Sequence, residues 1–182
     1  MNEKRRVSKQ DSGRELASSS ATAALVGAAA GLAGGCAMSL FSWLWAKLSA
    51  SPSEPLSYGS EEWDTASKVA KTCAKRISGR NLSLGETKTA AAVVHYAIAG
   101  ATGVLYAMAL QTGMFKPRWS GAFFGVGMWL VGNELLLPAL GVIKRKDYDT
   151  TQRANALGEH LAFGLTANLI CRQLLPGPAK TE

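Results

Sequence analysis

LASSSATAALVGAAAGLAGGCAMSLFSWLWA, residues 16–46, contains no Asp, Glu, Lys or Arg. A helix needs about 20 mostly apolar residues to cross about 30 Å of hydrocarbon, so this run can span a bilayer. Trp43 and Trp45 followed by Lys47 make an aromatic-then-basic exit suited to a membrane interface. Gly27, Gly31 and Gly35 recur at intervals of four within the run. That spacing puts three glycines on one helix face, a glycine-zipper pattern that lets another backbone approach closely. The face is expected to pack on protein, within the chain or against a second copy.

Outward from this segment the same alternation repeats. Residues 89–115 again lack any charged side chain, and a third apolar run over 119–143 is interrupted only by Asn133, Glu134 and Pro138. Pro138 should kink this helix or end it. A fourth stretch, 156–175, has the length but carries Glu159 and His160 in its first turns and Arg172 near its end. The mean hydropathy of +0.05 hides this pattern, because apolar residues sit in blocks and charges in the gaps. The expected fold is an all-α membrane protein with four transmembrane helices, near 20–48, 89–114, 119–143 and 156–175, and a short interfacial helix.

The gaps read differently. Residues 1–19 are basic and Ser-rich and are expected to be a flexible tail, as are 177–182. The basic start ahead of an apolar run resembles a signal peptide, but the run is too long and no A-x-A site follows, so it is expected to stay as an anchor. Residues 49–88 form the one substantial soluble segment, with a Pro-punctuated loop at Ser51–Ser57. Trp63, Ala66, Val69, Ala70, Cys73 and Ile77 then recur at helical spacing opposite Lys68, Lys71, Lys75 and Arg76. This predicts an amphipathic helix over about 60–77. It would lie on the membrane surface with its apolar face down, or else form a lid over the bundle.

A net charge of +7 raises the question of nucleic acid. No zinc-ligand spacing, RNP-like motif or basic recognition helix accompanies it, and basic loops beside anionic lipid explain it better. The expected partners are the lipid bilayer and a second copy or another membrane protein, with no nucleic acid. The three cysteines form no disulfide framework. There is no nucleophile elbow, phosphate loop, dinucleotide turn or CxxC; no enzyme activity and no cofactor are expected. A soluble helical bundle is the alternative class. Four spans would place nine Lys and Arg on the side of the termini and eleven on the other, so positive-inside counting does not orient the chain.

One constellation does not depend on orientation. His95 lies early in the second span, Glu134 late in the third and His160 early in the fourth. Alternating directions bring all three to one leaflet, with His95 and Glu134 on the order of 10 Å inside their helix ends. A carboxylate there costs roughly 2.5–3.5 kcal/mol on insertion scales. Either His95, Glu134 and His160, with Asn133 and Glu159, form a proton- or cation-binding cluster, including a weak candidate metal site, or they lock the bundle through interhelical hydrogen bonds. A third option is that they reach the interface.

The C-terminal half resembles the YagU-like family of small bacterial inner-membrane proteins of unknown function. The similar features are His95-Tyr96 before a small-residue span, the basic loop into Trp119-Ser120-Gly121, the stretch Gly132-Asn-Glu-Leu-Leu-Leu-Pro-Ala-Leu-Gly141, and Gly158-Glu-His160-Leu. In place of that family's proline-rich segment after the third span, this chain has Ile143-Lys-Arg-Lys146. The resemblance implies a bacterial cytoplasmic membrane and assigns no catalytic residue. It also implies a link to acid tolerance, which a Glu/His cluster would suit. The expected function is a membrane scaffold or assembly factor, with a proton- or cation-responsive protein as the alternative.

Overall fold

The computed structural model describes the backbone of residues 3–49, 60–114, 119–143 and 150–175. Within them all regular secondary structure is helical. The helices are α1 (Glu3–Ser49), α2 (Ser60–Ser78), α3 (Leu84–Gln111), α4 (Ser120–Trp129), a π-helical segment (Leu130–Leu136), α5 (Leu137–Ala139) and α6 (Thr150–Leu174). The loop at 51–57, the turn at 116–118, the basic run 144–146 and the tail 177–182 fall outside the described residues.

Three helical stretches are long and apolar enough to cross a membrane: Ser19–Ser49, Leu84–Gln111 and Ser120–Ala139. α6 has 25 residues, about 37 Å at 1.5 Å per residue, but does not share their apolar character. Arg153, Asn155, Glu159, His160, Asn168 and Arg172 all lie on it. α6 therefore does not qualify as a crossing by hydropathy.

Several boundaries differ from expectation for local reasons. The helical backbone of α1 begins at Glu3, inside the stretch expected to be a tail. α3 begins at Leu84 because Ser83 and Glu86 form a capping box, each side chain bonding the other's backbone N–H, with Arg80 paired to Glu86 at 2.7 Å. An S-x-x-E box satisfies two otherwise orphaned donors and starts a helix where it stands. α6 begins at Thr150, which makes Arg153 a helical residue rather than part of a loop.

The interior is made of small residues. Ala23, Ala30, Ala91, Ala99, Ala107, Ala156 and Ala167 are buried, while the largest fully buried side chains are Tyr106, Phe163, Cys171 and Ser120. Bulky apolar groups point outward, with Leu25 75%, Phe123 68% and Leu105 65% exposed. A water-soluble bundle would bury such side chains; helices in lipid have no reason to, and bury small residues that let backbones meet.

α1 packs on α3 and α6, α6 packs on α4, and α2 packs on α3. Gly27, Gly31 and Gly35 face α3. A Cβ at Gly27 would lie 2.7 Å from Gly103 O, one at Gly31 would lie 2.9 Å from Ala99 C, and one at Gly35 would lie 3.2 Å from Ala99 Cβ. The zipper is therefore filled within the chain, so its face is not free for a second copy. A second close crossing joins α4 to α6, where Gly121 and Gly164 each abut the other's carbonyl and Gly125 abuts His160 O. Between α1 and α6, Phe163 fills a notch at Gly34 and Phe41 fills one at Gly158.

The third span carries its proline through a π-helical segment. Pro138 has no N–H to offer the preceding turn, and Leu137 N donates back to Gly132 O, a wider turn than the α-helical one. The helix ends at Ala139, two residues after Leu137 closes this turn. Gly141, at φ 68°, takes the left-handed conformation of a helix C-terminus and donates to Pro138 O at 3.0 Å.

Candidate functional site

At the end of the bundle where α2 lies, α3 and α4–α5 do not pack directly on each other. Between them is a cavity of about 410 Å³. α2 covers it with Ala66 and Val69, and Ala99, Leu136 and Phe163 are among its apolar walls. Arg76 of α2 donates to Leu140 O at 3.3 Å, tying the cover to the end of α5. The apolar face of α2 is thus turned onto protein: Ala70 is buried, and Ala66, Val69 and Cys73 face the cavity. α2 thus lies over the cavity, while Ile77 of the same expected apolar face is 85% exposed.

The polar lining is where the predicted residues meet. His95, Asn133, Asn155, Glu159 and His160 all face the cavity. His95 Nε2 lies 3.5 Å from Gly35 O, and its ring meets Tyr96 edge-on. His160 Nδ1 lies 2.8 Å from Ala156 O, one turn back on its own helix; a proton donated there leaves Nε2 the acceptor of the neutral ring. The buried Glu159 accepts from Asn155 Nδ2 at 2.7 Å.

Glu134 is not among the lining residues. Successive helical side chains diverge by about 100°, so with Asn133 on the cavity Glu134 is directed elsewhere. It accepts from Arg153 Nη1 at 2.9 Å in a half-buried ion pair between the π-helical segment and α6. The expected His95, Glu134 and His160 trio is thereby divided. Among the described residues, no group of three or more His, Cys, Asp or Glu could hold a metal ion. Glu134, the carboxylate of the expected trio, is instead paired with Arg153.

No family model, curated protein or solved structure matches this chain.

A second polar centre, at the opposite end of the bundle, was not predicted from the sequence. Tyr106 OH donates to Asn168 Oδ1 at 2.8 Å and lies 2.9 Å from Ser120 Oγ. Ser120 Oγ donates to the same Asn168 oxygen at 3.2 Å. Arg172 Nε adds a bond to Asn168 Oδ1 at 2.7 Å, and its Nη2 donates to Ser120 Oγ at 3.1 Å. Tyr106, Ser120 and Asn168 are buried, and Tyr106 also packs on Phe124 with ring centroids 4.5 Å apart. Three helices are joined by one amide oxygen. Spacing does hint at one part of this network, since Asn168 and Arg172 are four apart on a helix and therefore share a face. Arg153 had no such signal, because its role depends on where α6 starts.

Chemically the two ends differ. Tyr106, Ser120, Asn168 and Arg172 satisfy one another, which is how polar groups persist inside a bundle without a reaction to perform. The cavity end gathers acceptors and imidazoles around a largely apolar space.

Proposed function

We propose that this chain is an integral protein of a bacterial cytoplasmic membrane, with α6 as a fourth crossing and α2 at the interface as a cover. In this proposal it acts as a non-catalytic scaffold or assembly factor. The observation that carries this reading is that Glu134 is paired with Arg153, and that Tyr106, Ser120, Asn168 and Arg172 satisfy one another. Its resemblance to the YagU-like family supports the bacterial cytoplasmic membrane. Alkaline carbonate should leave the protein in the membrane pellet. Reporters fused to the two termini should report the same side; opposite sides would reject the fourth crossing, and extraction by carbonate would reject the membrane reading.

A proton- or cation-responsive role is the second reading, favoured by His95, Glu159 and His160 lining one cavity. Thermal stability of Glu134→Gln, His95→Asn and His160→Asn at pH 5 and 7.5, with and without zinc, separates the two. Uniform destabilisation with no zinc effect supports the scaffold. Variants as stable as the parent, with pH or zinc shifting only the parent, support the responsive protein.

A further inference from the structure

The cavity contains one group that the bundle itself does not explain. Asn155 is only 5% exposed, faces the cavity, and its side-chain oxygen is fully buried with no hydrogen-bond partner among the described residues. The orientation of this amide is set by its neighbour. Asn155 Nδ2 donates to Glu159 Oε1 at 2.7 Å, and turning the amide over would place oxygen against carboxylate oxygen. The orphan atom is therefore an acceptor. Leaving a buried acceptor unmade costs more than a typical hydrogen bond returns, so a group held in this place calls for an explanation.

The surroundings say what kind of donor would answer it. The cavity, at about 410 Å³, falls within the size range of small-molecule sites. Its walls are mostly aliphatic, from Val69, Ala99, Leu136 and Phe163 among others. Beside Asn155 on α6, Glu159 and the Nε2 of His160 are further acceptors, while His95, Asn133 and Arg76 line the cavity from other helices. An apolar body with a single hydroxyl matches this arrangement: the chain fills the aliphatic part and the hydroxyl proton meets Asn155 Oδ1. A group with acceptors alone does not match, because Asn155 Oδ1 needs a donor.

We propose that the cavity between α2, α3, α4–α5 and α6 is a binding site for a single-chain apolar alcohol, held by its hydroxyl donating to Asn155 Oδ1. α2 is then the cover of a ligand site, and Arg76 bonded to Leu140 O is its latch. This stands independently of the scaffold reading.

The test uses the full chain in phosphatidylcholine nanodiscs, whose lipids carry no hydroxyl donor. A diazirine-bearing 1-decanol is photo-crosslinked and mapped by mass spectrometry, in competition with unlabelled 1-decanol or decyl methyl ether, which has no donor. The expected result is saturable labelling of Val69, Leu136 and Phe163. 1-Decanol should compete roughly three- to tenfold better than the ether, the worth of one neutral hydrogen bond. Asn155→Leu should erase that preference, and Ala66→Trp, which fills the cavity from α2, should abolish cavity labelling. Equal competition by alcohol and ether in the wild type would overturn the proposal without needing any variant to fold. So would labelling confined to outward residues such as Leu25 and Phe123, which is partition into the bilayer alone.

Discussion

Gly31→Ala adds one methyl group at the α1–α3 crossing, and the structure fixes what that methyl meets. It would lie 2.9 Å from Ala99 C and 3.0 Å from Gly103 Cα, and closer still to Ala99 O. An ordinary Cβ contact begins at 3.4 Å, so α1 and α3 must part by at least about half an ångström. The atoms in the way are backbone and cannot rotate aside. Overpacking of this kind costs about 1–3 kcal/mol. Against it stands the intrinsic gain of replacing a helical glycine by alanine, about 0.5–1 kcal/mol. The net expectation is a loss on the order of 1–2 kcal/mol, a roughly five- to thirtyfold rise in the unfolded fraction. Gly127→Ala supplies the control: nothing lies within 4 Å of a Cβ there, so only the gain remains. Equilibrium unfolding of both variants in the same mild detergent measures the difference. If Gly31→Ala proves as stable as Gly127→Ala, the close crossing does not hold α1 against α3, and the account of the fold given above fails.

Three further expectations follow from the polar groups. Removing one member of the half-buried Glu134–Arg153 pair, as in Glu134→Gln or Arg153→Met, should destabilise the protein by on the order of 1–3 kcal/mol. The double variant should lose less than the sum of the single losses, and a thermal-unfolding double-mutant cycle that came out additive would contradict the pairing. Asn168→Leu should cost more than Tyr106→Phe, because one oxygen serves Tyr106, Ser120 and Arg172 while the hydroxyl is one donor among them; individual bonds of this type are worth about 0.6–1.7 kcal/mol. Equal losses in thermal unfolding would refute the shared-acceptor arrangement. Ser83→Ala should cost about 0.5–2 kcal/mol and speed amide exchange in the first turn of α3, with no change at the far end of that helix; unchanged exchange at Glu86 would refute the cap.

How much of the site was legible in the sequence varies residue by residue. His95, Asn133, Glu159 and His160 were placed in one leaflet by helix direction alone, and all four line one cavity. Glu134 followed the same arithmetic to the same end of the bundle, but not to the cavity. Direction and depth come from counting residues, whereas the bearing of a side chain depends on the helix's rotation, and a π-helical turn beside Pro138 alters that rotation. Asn155 was missed because the fourth stretch was expected to begin at 156, and its orphan acceptor exists only once α6 is extended to Thr150 and packed.

By itself, the sequence determined that the chain is helical, where its three most apolar helices run, and that Gly27, Gly31 and Gly35 share a face. These follow from composition and from a period of 3.6, both local properties. Tertiary structure alone decided that this face is filled by α3 rather than by a second copy. It also decided that α2 lies over the cavity, that Arg153 claims Glu134, and that Tyr106, Ser120 and Asn168 converge. Each of these depends on which helix lies beside which, and at what rotation. Small-residue faces permit close approach without naming the partner, so the choice among partners is made only when the whole bundle packs.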